Sequence, residues 1–315
     1  MSVLEHSLVY KPFKYPWAME FAVEHEKLHW GEWEITLQED LEQWKKGEIS
    51  DVEKNHITQI LRLFTQSDVA VANGYCENFI PKFKNNEIRS ALLSISAREG
   101  IHQRAYALLN ETLGFPDSDY SLFLDVKAMS KKVEFMMQGD SSTHHNTAMA
   151  LVQSTINEGV SLFSAFVMLM NYQRMGKMAG TCKVVEWSIR DESQHVEFIT
   201  KLFRTFCEEH PAVVNDNMKK EIYQRFRQAV KLEDKIIDLA YDMGTIEGLD
   251  AEEVKQYIRY ISDRRLIQLG LKGNYRIKEN PLPWLDWMLS NDNHTNFFEQ
   301  TVSDYSKDGL VGDWW

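Results

Sequence analysis

Glu99-Gly-Ile-His-Gln-Arg-Ala-Tyr106 and Asp191-Glu-Ser-Gln-His195 decide how this chain is read. Each contains Glu-x-x-His: Glu99 with His102, and Glu192 with His195. Positions i and i+3 share a face of an α-helix, so each pair presents a carboxylate and an imidazole to one cation. Tyr106 follows His102 by four residues and points to the same side. Glu-x-x-His is a weak signal alone, because such a pair is ordinarily a solvated one. The chain carries two more, Glu26/His29 and Glu53/His56. The first lies in the charged run Glu24-His25-Glu26-Lys27 and reads as solvated. The second falls in the first turn of a helix, where acidic side chains suit the dipole, so capping accounts for it.

Glu99/His102 and Glu192/His195 instead sit mid-helix among apolar neighbours, Ile95 and Tyr106 for one and Ile189 and Ile199 for the other. A carboxylate on an inward face is costly unless paired or bound to metal. Two further acids share that setting. Asp68 is embedded in Phe64…Val69-Ala-Val, and Glu158 precedes the apolar run 160–170. A single acid thus precedes each Glu-x-x-His motif, giving four carboxylates and two histidines on four helices. That is the ligand plan of ferritin-like di-iron and di-manganese proteins. Carboxylate with imidazole suits iron or manganese.

The rest of the sequence agrees with an all-α chain. Only 7 Pro and 15 Gly in 315 residues leave long uninterrupted elements, and 43% hydrophobic content supplies a core. Apolar periodicity predicts helices over 52–73 (Asp51 as N-cap), 87–113, 147–175, 178–209, 215–243 and 251–271. Asn73-Gly74 marks an interruption or an end. We expect a ferritin-like di-metal bundle with additional helices over 1–300 and a flexible tail over 301–315. A net charge of -12 disfavours nucleic acid and acidic membranes as partners. No 18-residue apolar run suggests a membrane span. Cys76, Cys182 and Cys207 show no Cys-x-x-Cys spacing, and residues 1–15 lack a basic stretch followed by an apolar run, so a cytoplasmic location is expected.

Taken together, Glu99-x-x-His102-x-x-x-Tyr106, Arg190-Asp191-Glu192-x-x-His195, Tyr257-Ile-Arg-Tyr-Ile…Arg265…Gly270-Leu271 and Asn280-Pro-Leu-Pro-Trp284 resemble the small, radical-generating subunit of class I ribonucleotide reductase, over about residues 20–290. The resemblance implies metal ligands at Asp68, Glu99, His102, Glu158, Glu192 and His195, holding two Fe or two Mn ions. It implies a tyrosyl radical at Tyr106 and an outward relay through Trp30 and Asp191, with Trp33 as the alternative tryptophan. It implies a homodimer whose tail, with Tyr305 as a redox tyrosine and Trp314-Trp315 as anchors, docks on a large catalytic subunit that reduces ribonucleotides. Ser188 departs from the family, standing where the tyrosine pocket is usually apolar. The competing readings are a ferritin-like di-iron oxidase or oxygenase acting directly on a small molecule or lipid, and an iron-storage protein.

Overall fold

Ser50 starts the helix that carries Asp68. Its hydroxyl accepts the Glu53 amide while the Glu53 carboxylate accepts the Ser50 amide at 2.8 Å, a reciprocal capping box. The cap is therefore Ser50, one residue before the expected Asp51, because only Ser50 has a glutamate three residues on. The computed structural model describes residues 2–290. Eleven α-helices occur among them: α1 (Pro16–Lys27), α2 (Gln38–Lys46), α3 (Asp51–Gly74), α4 (Asn86–Leu113), α5 (Lys127–Met136), α6 (His144–Ile156), α7 (Phe163–Arg174), α8 (Ala179–Glu209), α9 (Asp216–Ala240), α10 (Ala251–Gln268) and α11 (Pro283–Ser290). No strand forms among the described residues, and Ile246 with Leu249 makes an isolated bridge.

Helix α3 packs on α4, and α6 and α7 pack on α8, which also meets α4. This four-membered bundle is wrapped by α1 against α4 and α8, and by α5, α9 and α10 on the other side. The α6–α7 segment runs through the middle, buried from Thr147 to Tyr172, which is why its sequence is apolar all round. Helix α4 begins at Asn85, whose side chain accepts the Ile88 amide, and ends at Gly114, whose φ of 83° is left-handed. Helices α9 and α10 each stop three residues short of the predicted ends.

Two departures from the expected helices matter more. The predicted helix 147–175 is broken by a π-helical turn at Asn157–Ser161, and α3 runs past Gly74 into another at Tyr75–Phe79. A π-turn inserts an extra residue and frees carbonyls that need other donors. Here Arg265 donates to the Gly159 carbonyl at 3.2 Å and Lys132 to that of Ser161, while the Asn157 amide reaches the Met136 carbonyl at 2.8 Å. Lys132 is itself neutralised by Glu233 at 2.8 Å. A Cβ on Gly159 would stand 2.7 Å from Arg265 Nε, so glycine permits this approach. The buried cations thus hold open the wide turn that carries Glu158.

Helix α3 also buries His56, whose Nδ1 lies 3.0 Å from the Tyr172 hydroxyl. Burial pushes its imidazole down to about 3. The unfolded chain takes up a proton near pH ~6.5 that the folded chain refuses. This contribution to stability is complete above that pH and is lost as pH falls towards 3, by up to ~1.4 kcal/mol per pH unit. Urea unfolding between pH 7 and 4 should therefore show a steeper loss in the wild type than in His56→Phe. Equal slopes would reject the account.

Candidate metal centre

The bundle brings all six expected donors into one buried place. Asp68 comes from α3, Glu99 and His102 from α4, Glu158 from the π-turn, and Glu192 and His195 from α8. All are fully buried. Their donor atoms form two groups, each within 4.8 Å: Asp68, Glu99 and His102, and Glu99, Glu158, Glu192 and His195. Glu99 belongs to both.

The outer nitrogens of the two histidines are engaged elsewhere. His102 Nε2 lies 3.2 Å from Asp191 Oδ2, and His195 Nε2 lies 3.0 Å from His25 Nε2. Both Nδ1 atoms therefore face inward. His195 Nδ1 stands 3.0 Å from Glu99 and 3.3 Å from Glu158, and His102 Nδ1 stands 3.1 Å from Glu192. Those nitrogens and every carboxylate oxygen of Asp68, Glu99 and Glu192 lack a hydrogen bond. So many orphaned buried acceptors aimed at one another are unfavourable unless cations lie between them. The spacing fits, since octahedral bonds of roughly 2.1 Å separate neighbouring ligand atoms by about 3.0 Å.

The same crowding shows in the acids. Burial and then the Glu99 charge hold Asp68 well above the usual carboxylate range, and burial pushes Glu158 up to about 7. Burial also opposes charge on His102 and His195, yet the surrounding carboxylates raise both.

Tyr106 sits beside the Asp68 group. Its ring stacks on Phe64 at 4.2 Å, it is 1% exposed, and its hydroxyl has no hydrogen-bond partner. Burial, then the Asp68 charge, raises the phenol well above its ordinary value. Ser188 is near enough to temper that shift, but its hydroxyl donates to the Val184 carbonyl at 3.0 Å. Behind His102, Asp191 Oδ2 accepts Trp30 Nε1 at 2.7 Å and Arg98 at 2.7 Å, and Oδ1 accepts Arg190 at 3.0 Å. Trp30 is buried at 2% exposure while Trp33 is 69% exposed, so the tryptophan joined to Asp191 is Trp30.

The family model described as "Ribonucleotide reductase, small chain" matches residues 7–281. The chain belongs to that family. A protein named probable ribonucleoside-diphosphate reductase small subunit in Invertebrate iridescent virus 3 is 38% identical, over 97% of this chain and 86% of that one. The ribonucleoside-diphosphate reductase subunit beta of Chlamydia pneumoniae is 28% identical over 95% and 90%. In fold, the ribonucleotide reductase R2 subunit of Clostridium botulinum superposes with a TM-score of 0.84 at 24% identity, covering 92% of this chain and 94% of that one. The dimanganese(II)-NrdF of Streptococcus sanguinis gives 0.75 at 19%, covering 95% and 99%. The enzyme to which this small chain contributes is ribonucleoside-diphosphate reductase.

Several residues around the small chain's centre were not found from sequence. Tyr75 donates to both oxygens of Glu158, at 2.8 and 3.0 Å, and Ser154 donates to Oε1. The signal was present, since Tyr75 follows Asp68 by two helical turns. His25 was read with a solvated run, but it is buried, with Nδ1 2.7 Å from Ser94 Oγ. Its spacing from Ala18 and Ala22 puts it on the inward face of α1. Of the two other Glu-x-x-His pairs, Glu26 and His29 are exposed, and Glu53 serves the cap and pairs with Lys177 at 2.7 Å. Tyr305, Trp314 and Trp315 lie outside the described residues. No described helix is long and apolar enough to cross a membrane.

Proposed function

We infer that Asp68, Glu99, His102, Glu158, Glu192 and His195 hold two Fe or two Mn ions, and that Tyr106 carries the radical this small chain passes to its large subunit. When bound, the metal pair supplies the oxidising power for one-electron loss from a phenol. The chain does the rest. Tyr106 lies on the Asp68 side, and Phe64 and the surrounding core exclude water that would quench a radical. Asp191 holds the Trp30 indole and the His102 imidazole on one carboxylate oxygen, so an electron vacancy on Trp30 can refill from the centre while a proton shifts along the same bonds. Tyr305 is the outward end of the route on this reading, in a tail from 301 onward that docks on the large subunit of a dimeric, cytoplasmic enzyme.

The Trp30–Asp191–His102 chain is the observation that carries this reading, because an oxidase acting directly on its substrate has no use for it. The cleft that reaches Ser154, between α3, α5 and α6, holds about 40 Å³, space for a few waters rather than for a lipid. Loading the protein with iron(II) and oxygen, or with manganese(II) and a reduced oxygen species, should yield a long-lived tyrosyl EPR signal that Tyr106→Phe removes. Oxygen consumption by the wild type with no long-lived organic radical would reject the reading.

A further inference from the structure

A phenol loses its electron together with its proton, so an acceptor already hydrogen-bonded to the hydroxyl makes that step faster and easier to reverse. Tyr106 has no hydrogen-bond partner at its hydroxyl. Tyr75 has one of the donor carboxylates itself, with Glu158 oxygens at 2.8 and 3.0 Å. It is fully buried, and Phe79 packs edge-on against its ring at 5.4 Å. Tyr75 also serves the other half of the centre. Glu158 belongs with Glu192 and His195, whereas Tyr106 lies by Asp68 and His102.

We propose that Tyr75 is a second redox-active tyrosine of the centre, losing one electron to the oxidised metal pair and its phenolic proton to Glu158. The inference rests on the metal-centre reading above. The O–H bond of Tyr75 breaks, its electron lowers the metal pair by one oxidation unit, and its proton adds to the Glu158 carboxylate. The products are a neutral phenoxyl and a protonated Glu158, and the primary oxidant is dioxygen or a peroxide reacting at the metals. Ser154 still donates to Glu158 after the transfer, so the carboxyl keeps a partner. Because the proton stays within one hydrogen bond, the Tyr75 radical reverts easily and is short-lived, in contrast to that on Tyr106.

The test uses the full chain, loaded with iron(II), mixed with oxygen and freeze-quenched within seconds. Tyr106→Phe should show a transient tyrosyl EPR signal whose lines narrow with ring-deuterated tyrosine. The signal should be lost in the Tyr106→Phe/Tyr75→Phe double variant at equal metal content. A Tyr106→Phe protein that holds metal but shows no transient signal overturns the proposal, as does a signal that survives in the double variant. Should the double variant fail to hold metal, 3-fluorotyrosine placed at position 75 of Tyr106→Phe keeps the hydrogen bond. It should add fluorine splitting to the signal, and an unsplit signal overturns the proposal. Loss of the long-lived radical in the wild type rejects the reading of Tyr106, whereas a normal wild-type radical with a silent Tyr106→Phe rejects Tyr75 alone.

Discussion

Glu99→Gln should leave the metal-loaded protein with well under about one ion per chain where the wild type holds about two. Glu99 is the residue shared by both donor groups, so on the proposed reading its carboxylate would serve both cations. Gln matches it in size, so the helices still pack, but an amide is a much poorer ligand for a hard cation and cannot bridge through two anionic oxygens. Asp68→Asn touches one group only and should lower the content towards about one ion. Elemental analysis after loading with iron(II) or manganese(II) and exhaustive dialysis measures both, with circular dichroism reporting that the helices remain. Two ions retained in Glu99→Gln would show that the donor groups are not a joined site.

The second large effect is expected at Asp191. Its carboxylate is fully buried and is the sole carboxylate among the described residues paired with Arg98, which is 3% exposed and also holds the His25 and Leu28 carbonyls. Asp191→Ala leaves that guanidinium buried and unpaired, strands Trp30 Nε1 and frees His102 Nε2. Breaking one side of a buried pair costs about 3–5 kcal/mol, which for a chain of this length lowers Tm by roughly 5–8 °C. Removing the acceptor behind a metal-binding histidine should also weaken metal affinity by about 10–100-fold. Asp191→Asn, which keeps the shape and one acceptor, should recover part of the stability. Thermal unfolding of the metal-free chain measures the first effect and metal titration the second. An unchanged Tm in Asp191→Ala would mean that Arg98 finds another partner.

What was legible in the sequence follows from periodicity. Asp68, Glu99, His102, Glu192 and His195 sit in long helices whose apolar spacing runs unbroken through them, so their common inward face can be read from residue numbers. Glu158 was found as an acid beside an apolar run, but its setting was not. A π-turn adds one residue to a helix without changing composition, and a segment buried on every side has no polar face to reveal the shift in phase. Tyr75 is in phase with Asp68, but it stands just past Asn73-Gly74, where the sequence suggests that the helix stops. Trp30 stands in 28–37, where there is no repeat to read, and only resemblance picked it out. Hydrogen bonding to Asp191 then separates it from Trp33. His25 was hidden by its charged neighbours, although its place on α1 followed from Ala18 and Ala22.

The contact between His25 and His195 fixes more than a ring orientation. With Nδ1 of His195 turned to the carboxylates, its outer nitrogen Nε2 carries a hydrogen and gives it to Nε2 of His25. Burial, then His195, pushes the His25 imidazole down to about 2, so it is neutral, and its own hydrogen must sit on Nδ1, directed at Ser94. Two rings and a hydroxyl thus form a row with a single hydrogen order, running from the centre to a half-buried serine on α4. That order is set at its inner end by the turn of the His195 ring, whose Nδ1 faces the carboxylates. The orientation of one donor histidine thus fixes the tautomer of a histidine on α1 that lies outside both donor groups.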